Sequence, residues 1–128
     1  PGNVKAVIAD CGYTSEWDEF QREADALHIP WFPVLNATSV LSKIRDGYDF
    51  KQASALAQVK KSRIPTLFIH GSSDELVPYS MLGELYAAAA CEKEELTVEG
   101  AGHALSSSVA PTLYWRTVED FIAKYLDR

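Results

Sequence analysis

Two rhythms of apolar and polar residues run through this chain. Short continuous apolar runs mark strands, and stretches with apolar residues every three or four positions mark helices. The first run, Val4-Lys5-Ala6-Val7-Ile8-Ala9-Asp10, suits an interior parallel strand. Ser15-Glu16-Trp17-Asp18 then resembles a capping box, and Trp17, Phe20, Ala24 and Leu27 recur at helical spacing. His28-Ile29-Pro30-Trp31-Phe32-Pro33, with two prolines among bulky residues, predicts a stiff loop. Thr38 to Arg45 predicts a second, short helix stopped at Gly47, so residues from about 16 to 50 form a helical insertion. A weaker helical piece, Lys51 to Gln58, leads through Lys60-Lys61-Ser62-Arg63, read as a solvated basic loop, into Pro65.

The second run, Thr66-Leu67-Phe68-Ile69, predicts a buried strand. Gly71 permits a sharp exit from it, and Pro78 suits the first turn of a helix reaching about Cys91, with Met81, Leu82, Leu85, Tyr86 and Ala89 on its apolar side. Glu94 to Glu99 is a half-polar strand expected near a sheet edge. Thr112 to Leu126 closes the order, with Tyr114, Val118, Phe121, Ile122 and Tyr125 on one stripe that should lie flat on the sheet. The order strand, helical insertion, strand, helix, strand, helix is that of an α/β protein with a three-stranded parallel sheet. No repeat or low-complexity tract interrupts it.

Composition narrows the function. A chain of 128 residues, 47% hydrophobic and 23% charged, is sufficient for one domain with a real core. A net charge of −6 without a basic patch argues against nucleic acid. Cys11 and Cys91 lack metal-ligand spacing and read as reduced core or helix residues of a cytoplasmic protein. No signal peptide or bilayer-length apolar run is visible, so no membrane partner is expected. The opening Pro1-Gly2-Asn3-Val4 enters an interior-type strand almost at once, which leads to the expectation that further sequence precedes it.

Asp74 lies on the loop leaving the central strand, at the carboxyl edge where ligands gather in α/β sheets. His103, within Glu99-Gly100-Ala101-Gly102-His103-Ala104, lies on the loop leaving the next strand. One helix and one strand separate them, the content of a βαβ step, so a right-handed crossover sets acid and imidazole side by side. A carboxylate accepting from imidazole Nδ1 fixes the tautomer and leaves Nε2 as a general base. The bland alternatives are a turn aspartate and a loop histidine between small residues; the paired spacing favours chemistry. No G-x-S-x-G elbow supplies a nucleophile, and Ser106, Ser107 and Ser108 read as loop or helix-approach residues. His70, Asp74 and His103 lack H-x-x-x-H or H-x-x-E-H spacing, so neither a metal nor another cofactor is expected, and His28 reads as structural or surface. Trp17, Phe20, Trp31, Phe32, Tyr48 and Phe50 read mainly as the insertion's own small core, a minority of them being available to line an apolar acyl or alcohol pocket.

His70-Gly71-Ser72-Ser73-Asp74-Glu75-Leu76-Val77-Pro78 matches the H-G-x-x-D-x-x-V-P acid loop, and Gly100-Ala101-Gly102-His103 the G-x-G-H histidine loop, of α/β-hydrolases. With Val4 to Tyr13 and the insertion, the chain resembles the carboxyl-terminal portion of bacterial serine hydrolases of the dienelactone-hydrolase or acylaminoacyl-peptidase-like branch. The resemblance covers essentially all 128 residues but only about half of a domain that often exceeds about 200 residues. It implies that Asp74 is the acid and His103 the base, that Val4 to Asp10 is the sixth strand, and that the insertion is a cap. It implies also that residues 1–128 are the C-terminal part of one α/β-hydrolase domain, with the serine elbow, oxyanion-hole loop and earlier strands outside them.

The function expected is a fragment of a serine hydrolase acting on a small-molecule ester or related acyl bond, inactive alone because it holds two thirds of a triad. The alternative is a non-catalytic α/β module that self-associates or binds a partner through the open edge of its first strand.

Overall fold

In the computed structural model of the chain, residues 3–47 and 54–126 are described. The chain forms two compact units, Pro1–Tyr13 with Leu56–Arg128 and Thr14–Ala55. The sheet belongs to the first. Strands β1 (Val7–Asp10), β2 (Thr66–Gly71) and β3 (Lys93–Val98) lie in the order β1-β2-β3, every pairing parallel. Val7 pairs with Thr66, and Thr66 in turn with Lys93, so the strands run level toward one carboxyl edge. This is the three-stranded parallel sheet read from the apolar runs. β1 starts at Val7 rather than Val4, because the ladder opens where the Val7 N–H reaches Pro65 O. The half-polar β3 lies at an edge among the described residues.

β2 is central, and all six of its residues are buried, which explains its lack of polar alternation. Its two faces meet different helices. Leu67 and Ile69 pack against α6 (Pro111–Leu126) through Tyr114, Val118, Phe121 and Tyr125. That spacing of four, three and four is one side of an α-helix, the predicted stripe. Phe68 and His70 point the other way; Phe68 meets Tyr86 of α4 (Ser80–Ala88) edge to face, and His70 meets Tyr79 just before it. Pro78 therefore precedes the helix instead of occupying its first turn. The far end of α4 is closed by Lys93, whose Nζ donates to Tyr86 O and Ala89 O at 2.6 and 3.0 Å, while Tyr86 O also accepts from the Ala89 N–H. Lys60, Lys61 and Arg63 are exposed, and Arg63 donates to Ala90 O.

The Thr14–Ala55 unit is helical. α1 (Glu16–Ala26) starts as its capping sequence predicts, Ser15 Oγ accepting from the Asp18 N–H. The following segment differs from the expectation. Instead of a stiff loop and a short helix, one helix, α2, runs Trp31–Asp46. Pro30 precedes it in extended conformation, and Pro33 falls in its first turn, where an N–H has no partner to lose. Both prolines thus start a helix that periodicity alone left in a loop. Gly47, at φ 70°, ends it in the left-handed conformation that glycine adopts most readily. α3 (Ala55–Val59) falls within the weaker helical piece, whose beginning at Lys51, like Tyr48 and Phe50, lies outside the described residues.

No helix among the described residues is long and apolar enough to cross a membrane. The fully buried Phe121 generates a stability prediction. Phe121→Ala should lower the unfolding free energy by about 3–5 kcal/mol, whereas Ile44→Ala, at a residue 79% exposed, should stay within about 0.5 kcal/mol. Urea denaturation of the two variants checks it.

Candidate active site

Two loops at the carboxyl edge build the site. The first leaves β2 at Gly71, where the chain turns directly against the loop after β3; a Cβ at Gly71 would stand 2.2 Å from Ala101 O. Only glycine permits this approach. Polar bonds then join the loops: Ser73 N–H donates to Ala101 O, Ser72 Oγ accepts from Gly100 N–H, and Ser72 Oγ–H donates to Glu99 Oε2. The acid loop and the histidine loop are therefore one tied structure.

Asp74 sits inside it with no exposed side-chain surface. Its Oδ1 accepts from the Leu76 and Val77 N–H groups at 3.0 and 2.9 Å, the local turn chemistry of an aspartate. Its Oδ2 lies 3.0 Å from His103 Nδ1. The turn role and the pairing role thus use different oxygens of one carboxylate. Burial pushes the Asp74 carboxyl up, but hydrogen bonds from Val77, His103 and Leu76 outweigh it and leave the group below the ordinary carboxylate value. A carboxylate cannot donate, so Nδ1 carries the proton of the pair and Nε2 keeps its lone pair, on an imidazole whose side chain is 37% exposed. Among the described residues none hydrogen-bonds His103 Nε2. Such an arrangement can take a proton at Nε2 and stabilise the imidazolium that results.

His70, whose side chain is 1% exposed, is a third member that spacing did not reveal. Its Nε2 is 3.0 Å from Val77 O and 3.3 Å from Asp74 Oδ2. Both neighbours are acceptors, so Nε2 bears a proton and donates into the acid loop, buttressing Asp74. The signal was its place at the end of the buried strand, four residues before the acid.

Cys11 is the other residue that pattern reading left in the general core. It follows β1 at φ 54°, and Ala104, immediately after His103, has φ 55°. Left-handed backbone at non-glycine residues costs on the order of 1–3 kcal/mol each, and persists where surrounding bonds dictate it. The Ala104 N–H donates to Cys11 Sγ at 3.2 Å. Burial, with Asp10 and Asp74 nearby, pushes the Cys11 thiol up to about 11. Cys11, Asp74 and His103 offer donor atoms within 4.8 Å of one another, a thiol, carboxylate and imidazole set of the kind zinc accepts. The set fits a metal poorly: the thiol holds its proton tightly, and the Asp74 oxygen that a metal would need already accepts from His103.

Ser106, Ser107 and Ser108 form the short helix α5 (Ser106–Val109), with Ser106 fully buried. His28 is exposed, at φ 56°, and lines a groove of about 570 Å³ with Asp25, Ile29, Pro30, Trp31 and Phe32 inside the helical unit.

No protein-family model matches the chain. It is 30% identical over 116 residues to the uncharacterized protein YqkD of Bacillus subtilis strain 168, a match covering 90% of this chain and 38% of that protein. The chain thus spans well under half the length of that relative. Among solved structures, it superimposes on the Pyrococcus horikoshii acylaminoacyl peptidase with TM-score 0.69 at 18% identity, over 97% of this chain and 20% of the peptidase. The Pyrococcus furiosus esterase PF2001 gives 0.68 at 17% identity, over 95% and 46%. At such identities the likeness speaks for architecture, and it agrees with the parallel strands and flanking helices found here. The chain is therefore built on the α/β-hydrolase fold, of which it presents three parallel strands and the helices that flank them.

Proposed function

We propose that Asp74 and His103 are the acid and base of a serine hydrolase acting on ester or related acyl bonds, with the nucleophilic serine supplied by residues outside these 128. The observation that carries this reading is the 3.0 Å bond between His103 Nδ1 and a fully buried Asp74 oxygen, at the carboxyl edge of a parallel sheet. In this reading His103 Nε2 removes the proton of the serine hydroxyl as that oxygen attacks the acyl carbonyl. Asp74 keeps the imidazole in the required tautomer and stabilises its charge, and the proton then passes to the departing alcohol or amine. Water, deprotonated by the same Nε2, releases the acid and restores the serine. The helical Thr14–Ala55 unit is assigned the part of a cap that contributes substrate contacts. The absence of a G-x-S-x-G elbow from the sequence supports the assignment of the nucleophile to other residues.

The 128-residue chain alone is expected to turn over no p-nitrophenyl ester. The longer protein carrying the elbow should do so, and should lose about 10⁴-fold or more in kcat on His103→Ala or Asp74→Asn. Turnover by the 128-residue chain that disappears in His103→Ala, or full activity of the longer protein with that substitution, would contradict the assignment.

The Asp74 carboxyl titrates below its ordinary value in the folded chain, so its charge stabilises the fold above about pH 4, the unfolded value. That contribution is lost as pH falls from there through the folded value. Urea midpoints measured between pH 7 and 3 should therefore fall less steeply for Asp74→Asn than for the unmodified chain.

A further inference from the structure

We propose that Cys11 is a positioning residue for His103, acting through the backbone of Ala104. The role presupposes that Asp74 and His103 form the acid–base pair. It deepens that reading by naming what holds the backbone that carries the base.

The argument starts from the backbone. Ala104 follows His103 directly and occupies left-handed space without being glycine, so something beyond the loop must hold it there. The hydrogen bond from its N–H runs to Cys11 Sγ, 93 positions earlier in the chain. Cys11 has the same unusual backbone sign, and its thiol is directed onward: Sγ–H donates to Asp10 Oδ1, with Sγ 3.2 Å from that oxygen. The other oxygen, Asp10 Oδ2, accepts from Tyr114 Oη–H at 2.9 Å. Tyr114 is anchored in the core stripe of α6.

Every hydrogen in this series has a fixed direction. The Ala104 amide can only donate, Asp10 accepts from both the thiol and Tyr114 Oη–H, and the thiol must therefore both accept and donate. A thiol does both only while protonated, and burial beside Asp10 and Asp74 pushes Cys11 up to about 11 and keeps it so. The same setting pushes Tyr114 up to about 12, chiefly by burial and its bond to Asp10, and keeps that donor intact as well. A thiol held protonated is a poor nucleophile, which separates Cys11 from the attacking group. The outcome is a relay of fixed bonds from the core helix, through the end of β1, to the residue after His103. The Asp74 bond orients the ring, and the Cys11 bond fixes the backbone that carries it.

The test is the Nδ1–H proton of His103, which resonates far downfield when an imidazole donates to a carboxylate, recorded by NMR on the 128-residue chain and assigned by its loss in His103→Ala. Cys11→Ser, whose hydroxyl can also accept and donate, should retain the resonance. Cys11→Ala should broaden or abolish it, while the imidazole signals of His70 stay in place. A merely structural cysteine would lower the unfolding midpoint in Cys11→Ala and leave the resonance unchanged, and that result would overturn the proposal. Should Cys11→Ala not fold, hydrogen exchange of the Ala104 amide in the unmodified chain decides: exchange at least about tenfold slower than an open amide is expected, and unprotected exchange would overturn it. Neither readout depends on ester turnover, so a failure of the hydrolase reading would appear separately, as an inactive longer protein in which the resonance persists.

Discussion

A carboxylate without any exposed surface has to be satisfied from within, and Asp74 meets that demand with the organisation of both loops. Two backbone N–H groups bind one oxygen, and two imidazoles approach the other. Remove the partners and a buried charge remains unpaired, at a cost larger than most single contacts contribute to a fold of this size. The surrounding features serve that arrangement. Gly71 lets the loops approach, Ser72 and Ser73 tie them, and the buried His70 faces the carboxylate from the strand side. The acid loop is thus pre-set, and the histidine is added to an acceptor already oriented.

The sheet contributes position. Because its strands are parallel and level, the loops after β2 and β3 leave the same edge, and the end of β1 reaches that edge too. Residues remote in the chain, Cys11, Asp74 and His103, consequently come within a few ångströms. The two helices against β2 divide the work between its faces. α6 supplies a broad aromatic and aliphatic core, and the α4 side encloses Phe68 and leaves His70 turned toward the acid loop. Rigidity from the core is therefore passed to the site by strands and not by flexible segments.

Left-handed backbone at Cys11 and Ala104 fits this division between core and site. Strain of that kind survives where bonds over-determine the conformation, and both residues here share one hydrogen bond. The sulfur between them is buried, and its proton faces Asp10. Local sequence offers no reason for either conformation, since neither residue is glycine or asparagine.

The sequence by itself determined the strands, the helical stripe of α6, the start of α1 at Ser15, the stop at Gly47 and the pairing of Asp74 with His103. Each depends on short-range physics: periodicity, capping, left-handed glycine, and the fixed length of a crossover between parallel strands. It misjudged the Pro30 to Pro33 segment, because whether a proline breaks or begins a helix depends on where the first turn falls. The acid-loop motif placed His70 at the head of that loop, but only the tertiary structure decided that it contacts Asp74 and that Cys11 belongs to the site. Their contacts join residues across the sheet edge, and hydrogen-bond direction and burial exist only once β1, β2 and the two loops are assembled.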